Sequence, residues 1–218
     1  MNVQDLVERY VVASLEKQFA LGEVIGDANW SANLDKGTIT FGSKYQFPVQ
    51  VLGSEADQPK TWLWAWANAA SNIPARLLAC ANDLKAFGTR EAISELTTSE
   101  MSLSKIDGHR LAIIASGLCN AACYYRGPYD GGAVFLIIPD APPVNAKLSS
   151  TPERLINIFS QAIQTMPFNH RHALAAFLEY KGYSVNATNT GIDAKNKQNQ
   201  VIHAEFDSAN RLTKLDVL

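Results

Sequence analysis

The chain has 218 residues, 47% of them hydrophobic and 18% charged, so it carries enough apolar surface to offset the entropy of ordering, and general disorder is excluded. A formal net charge of −2 argues against a duplex nucleic acid or an anionic membrane surface as partner, since those demand clustered Lys and Arg, and leaves room only for a small local basic patch. Asp5 and Glu8 stand where a signal peptide needs a basic segment, and no apolar run approaches the roughly 20 residues of a membrane span.

In chain order, Val3, Leu6, Val7, Tyr10, Val11, Leu15 and Phe19 fall at helical spacing, with Asp5, Glu8, Glu16 and Lys17 predicted on the opposite, solvated side. Four strand-like segments follow, at Trp30–Leu34, Thr38–Gly42, Tyr45–Leu52 and Thr61–Asn68, and the turn signals between them predict an antiparallel meander. Pro48 cannot donate to a ladder, so the third strand must be an edge or be interrupted there. A helix is predicted from Pro74 to Phe87 with Gly88 as its left-handed cap, then a strand at Glu95–Met101 and an apolar helix from Gly108 to Tyr125. Ala133–Ile138, an unbroken apolar run, reads as a central strand, and Ala141–Asn145 as a loop.

Ser150-Thr151-Pro152-Glu153 has the spacing of a capping box at the head of a helix carrying Leu155, Ile158, Phe159, Ala162 and Ile163. Asn169 is placed to cap a further helix that stops at Gly182. Strands are predicted at Tyr183–Ala187, Gln200–Phe206 and Arg211–Leu215, with Asn189–Asn199 a polar linker. The sum is an α+β fold in one domain over 1–218: an antiparallel sheet, made of an N-terminal meander and a C-terminal hairpin, flanked by about five helices.

Two segments stand out as binding candidates. Thr61-Trp62-Leu63-Trp64-Ala65-Trp66-Ala67-Asn68, on a strand, would put Trp62, Trp64, Trp66 and Asn68 on one face and a flat row of small residues on the other. That face is either a buried indole layer or an open aromatic platform with Asn68 as its polar reader. Tyr124, Tyr125, Arg126 and Asp130, in a predicted loop between helix and strand, could hold a carboxylate or phosphate through Arg126. The simpler role for Arg126 is at the helix C-terminus, with the tyrosines bordering the core. If both segments bind, they line one pocket.

The formal motifs fail. Gly53 with Lys60-Thr61 lacks the spacing and the following helix of a phosphate loop, and Gly127–Gly132 lacks a dinucleotide fingerprint. His170 and His172 diverge by roughly 200° on a helix. Cys80, Cys119 and Cys123 are odd in number and sit among apolar residues. They predict neither a zinc site nor a disulfide framework, and they suit a reducing, cytoplasmic setting. No cofactor or metal is expected.

The Thr-Trp-Leu-Trp-Ala-Trp-Ala-Asn strand, preceded by Leu52-Gly53-Ser54, together with Ala121-Ala122-Cys123-Tyr124-Tyr125-Arg126, resembles an uncharacterised bacterial family built around a tryptophan-rich strand. The resemblance implies no activity and carries over no catalytic residue. The favoured expectation is therefore a soluble, non-catalytic binding or interaction module, of immunity or regulatory type, for a protein or small ligand. Homo-oligomerisation is compatible with it. The alternative is an enzyme on a small polar substrate, with Arg126, Asp130 and Tyr125 beside an aromatic wall.

Overall fold

The computed structural model describes residues 1–218, which fall into two compact units: Met1–Val3 with Lys17–Lys147, and Gln4–Glu16 with Leu148–Leu218. The fold is α+β, with six helices and three antiparallel sheets of three, five and four strands. No helix is long and apolar enough to cross a membrane. Helix α1 (Val3–Ile25) supplies residues to both units. Its Glu16 and Lys17, predicted to face solvent, are only 3% and 5% exposed. Each is buried because a partner satisfies it: Lys17 Nζ donates to the Ala121 carbonyl at 2.8 Å, and Glu16 is paired within its own unit.

In the first unit, β1 (Trp30–Asn33), β2 (Thr38–Phe41) and β3 (Tyr45–Pro48) form a three-stranded meander. Pro48 does what its missing N–H requires and ends the third strand, so the predicted Tyr45–Leu52 segment divides. Its second half becomes β4 (Gln50–Ala56) of a different sheet, joined by β5 (Thr61–Trp64). The remaining elements are α2 (Ala79–Arg90), β6 (Glu100–Ser102), α3 (Gly108–Leu118), β7 (Cys123–Tyr129), β8 (Gly132–Ile138) and the short α4 (Pro142–Asn145). The five strands lie in the order β6-β5-β4-β8-β7, so the apolar Ala133–Ile138 run is indeed internal.

Three expectations need correction here. Gly88 is not a cap: α2 runs on to Arg90, and Gly88 is where the helix meets its neighbour, a Cβ there lying 2.5 Å from Leu96 Cβ. The helix predicted to reach Tyr125 ends at Leu118, Asn120 takes a left-handed φ of 47°, and the chain re-enters the sheet as β7. The predicted Ala141–Asn145 loop is instead a short helix over Pro142–Asn145 with Ala141 before it, because Pro142 and Pro143 suit its first turn.

The cysteine expectation is also overturned. Cys80 in α2 and Cys119 at the end of α3 form a disulfide, with Cys123 left free and buried. The step from unpaired cysteines to a reducing compartment no longer holds. The bridge closes a loop of 39 residues, for which loop-closure entropy gives a stabilisation of about 2–4 kcal/mol. Reduction should lower the urea midpoint accordingly. Thiol titration of unreduced protein should find no reactive thiol when folded and one when denatured, since burial pushes the Cys123 thiol up to about 12. Three thiols would refute the bridge.

The second unit packs α5 (Pro152–Thr165) and α6 (His170–Tyr180) with a meander of β9 (Ser184–Ala187), β10 (Gly191–Lys195), β11 (Val201–Phe206) and β12 (Leu212–Val217). Asn169 caps α6 as predicted, its side chain accepting from the His172 N–H. Helix α5 starts at Pro152, one residue later than a box capped by Ser150 would place it, and its N-cap Thr151 makes no side-chain cap. The supposed linker is a correction: β10 lies within it, because Ile192 and Ala194 alternate inward and pair with Ala204 and Ile202.

On the opposite face of this sheet, His203 Nδ1 is 2.6 Å from Asp193 and Nε2 is 3.2 Å from Glu205. Hydrogen bonds to these two carboxylates raise the His203 pKa. A raised folded-state pKa contributes stability that is complete below the unfolded value of about 6.5 and disappears as pH climbs through the folded value. The stability difference between wild type and His203→Gln should therefore shrink as pH rises from 6 to 9. A difference independent of pH would contradict this.

Candidate functional site

The tryptophan segment is a strand only to Trp64; Ala65–Ala67 and Ala69–Ser71 are 3-10 turns. This corrects the predicted eight-residue strand and dissolves its flat alanine face. Trp62 and Trp64 are both 0% exposed, on the sheet face beneath α3, so the buried-layer alternative describes them and an open platform does not. They meet edge to face at 5.4 Å, and Trp62 meets Phe135 likewise at 5.4 Å. Trp64 Nε1 donates to the Glu95 carbonyl. Trp66, half-buried, stacks on Trp64 at 6.3 Å and carries Lys85 Nζ 3.9 Å above its ring.

The Tyr124–Asp130 segment is not a loop but most of β7 and its hairpin turn, with Asp130 and Gly131 linking Tyr129 to Gly132. A strand sends alternate residues to opposite faces, so Tyr124 and Arg126 part from Tyr125 and Tyr129. Arg126 pairs with the buried carboxylate of Glu55 at 3.4 Å, and Glu55 Oε1 accepts the Gly108 N–H at 2.8 Å. Glu55 and Asp107, which accepts from the Arg110 N–H, thus hold two of the free N-terminal donors of α3, those of Gly108 and Arg110. Arg126 balances Glu55 and does not cap a helix C-terminus. Tyr124 OH lies 3.0 Å from His109 Nδ1, and burial raises its pKa beyond the usual phenol range. Tyr125 lies on the other side, 4.9 Å from Phe41 and 5.5 Å from Trp30. The trio Arg126, Asp130 and Tyr125 therefore does not converge.

A cavity of about 450 Å³ opens on that other face. Its floor is Val51, Val134 and Leu136 of β4 and β8, and its walls are Trp30 of β1, Tyr129 and the 3-10 segment. Of the tryptophan segment it takes Ala65 and Asn68; of the β7 segment it takes Tyr129. Asn68 Oδ1 accepts the Ser71 N–H, which fixes the amide and leaves Nδ2 free at the cavity rim. The Ser54 hydroxyl, from the central strand, is a further polar group of the lining, together with the hydroxyls of Ser31, Ser71 and Tyr129. Trp30 is held in place by a close approach: a Cβ on Gly127 would lie 2.6 Å from its indole. No lining residue carries a charge.

Sequence reasoning missed Trp30, Ser54, Val134 and Leu136. Val134 and Leu136 were correctly placed in a strand, but which face would stay open is decided by the layer above it. Trp30 alone left a signal, a large aromatic at the head of a strand otherwise made of Ser, Ala and Asn.

The model of the family of unknown function DUF6882 matches residues 4–140. The chain belongs to that family. The DUF6882 match runs from α1 through β8 and contains every residue that lines the cavity, while the β9–β12 sheet lies beyond it. No curated protein and no solved structure matches this DUF6882 member significantly.

Proposed function

We propose that the chain is a non-catalytic binding module whose cavity in the first unit takes a neutral, largely apolar group. The observation that carries this is the lining itself. A concave site of some hundreds of Å³, apolar at its floor, aromatic on its walls and edged by a few fixed polar groups, has the make-up of a ligand pocket. A charged group entering it would lose hydration and find no counter-charge, which costs several kcal/mol in an apolar setting. The Asn68 Nδ2 and Ser54 hydroxyl can satisfy an amide or hydroxyl of the ligand. The lining holds no carboxylate, imidazole, amine or thiol to act as acid, base or nucleophile, so binding without turnover is the reading its chemistry favours.

N-acetyl-phenylalaninamide, which is neutral, aromatic and bears an amide at each end, is a direct probe. Calorimetric titration should show binding, and the charged analogue N-acetyl-lysinamide should bind at least tenfold more weakly. Val134→Phe fills the floor and should weaken the first probe by tenfold or more with little change in unfolding temperature. Equal affinity for the two probes, or a Val134→Phe variant that binds normally, would remove the cavity from consideration.

A further inference from the structure

Resting on the cavity reading above, the geometry points to a more specific occupant: we infer that an extended peptide adds as a fourth strand to the free edge of β1 and places one uncharged apolar side chain in the cavity. The order β1-β2-β3 leaves β1 with a neighbour on one side only. The Gly42 N–H donates to the Asn29 carbonyl, and Trp30 faces Phe41 in the ladder. This phase turns Ser31 and Asn33 toward β2 and turns the N–H and C=O of Trp30 and Ala32 away from it. Those groups form an unpaired row along the outer edge.

The cavity lies on that row. Trp30, Ser31 and Ala32 all line it, yet consecutive side chains of a strand point to opposite faces. A space that touches all three abuts the edge of the strand, not one face. The same edge lacks the usual protection against strand pairing. Edge strand β3 ends on Pro48, β7 holds Arg126 and Pro128, and β12 holds Lys214 and Asp216, whereas β1 is Trp-Ser-Ala-Asn with neither charge nor proline. Strand β9 is similarly bare, and what sets β1 apart is the cavity beside it.

In strand addition the main chain supplies affinity and pockets for side chains supply selectivity. Here Trp30 and Ala32 provide the main-chain partners. The uncharged lining selects a Phe, Leu or similar side chain over Lys or Asp. Asn68 and Ser54 are at hand for the amide that flanks it.

The test uses the full chain, the pentapeptide acetyl-Thr-Val-Phe-Val-Thr-amide, and two versions N-methylated on alternate amides. The unmodified peptide should bind at least tenfold tighter than N-acetyl-phenylalaninamide, and one of the two N-methylated versions should lose that gain. Ala32→Pro removes an outward N–H without touching the β1–β2 ladder. Because Ala32 also lines the cavity, N-acetyl-phenylalaninamide should lose some affinity too, but the peptide should lose about tenfold and so give up its advantage over the small probe. If the small probe binds but the peptide binds no tighter, or both methylated versions are tolerated, strand addition is wrong and the cavity reading survives. If neither probe binds, both fall. Concentration-dependent dimerisation abolished by Ala32→Pro would assign the edge to a second copy of the chain and overturn the inference; the methylated peptides decide the matter should that variant fail to fold.

Discussion

Lys181→Met should destabilise the second unit by about 3–5 kcal/mol, the cost of leaving a buried carboxylate without its partner. Lys181 Nζ donates to Glu16 Oε1 at 2.9 Å and approaches Oε2 to 2.6 Å as an ionic contact, with the two side chains only 7% and 3% exposed. The same ammonium donates to the Ser149 carbonyl at 3.0 Å, and the Ser149 N–H reaches Glu16 at 3.5 Å, so the pair also fixes the entry into α5. Without the ammonium, Glu16 keeps only that long N–H contact. A double replacement, Glu16→Leu with Lys181→Met, removes both charges and should recover most of the loss. Urea unfolding of the three proteins checks this, and a loss below 1 kcal/mol in the single variant would show the pair to be solvated.

Trp64→Ala should cost a similar amount, about 3–5 kcal/mol, by emptying the space of a fully buried indole. Trp64 touches an indole on each side and spends its N–H on the Glu95 carbonyl, so the change also orphans an acceptor. Trp62→Phe should be the milder change, because the Trp62 N–H is buried without an acceptor and nothing polar is lost with it. Thermal unfolding that ranks Trp62→Phe above Trp64→Ala in damage would contradict this packing.

These residues show what could be read from the sequence. Period-two and helical spacings located most elements, and a short-range donor or break fixed several boundaries: Asn169 for α6, Pro48 for β3, Gly182 with its left-handed φ after α6. The α+β class follows from those signals, and the family resemblance from the tryptophan-rich segment. Failures came where a distant partner decides. Glu16 looked solvent-facing because Lys181 is 165 residues away. Cys80 and Cys119, 39 residues apart, pair only once α2 and α3 pack. Tyr124 and Tyr125 fitted a helical stripe as well as a strand; the Asp130-Gly131 step between two apolar runs was the hairpin signal that could have chosen the strand.

The candidate site was legible in part. Asn68 and Tyr129 border the cavity, and Asn68 stood in the segment singled out, but the indoles beside it went inward. Period two puts Trp62 and Trp64 on one face without saying which face the helices will cover. Here α3 covers the tryptophan face, because Gly108 lets its backbone approach Phe135, a Cβ there lying 2.6 Å from the ring. The opposite face was left for Trp30 and the cavity.

That placement makes Trp30 the natural reporter of the site. The measurement that tests the account most directly is tryptophan emission and acrylamide quenching of wild type and Trp30→Phe, each with and without N-acetyl-phenylalaninamide. Wild type should show reduced quenching and a shifted emission on saturation, and Trp30→Phe should show neither, because Trp62 and Trp64 are already sealed from solvent and the half-buried Trp66 does not line the cavity. A ligand response that persists undiminished in Trp30→Phe, or is absent from wild type, would contradict the assignment of the cavity as the binding site.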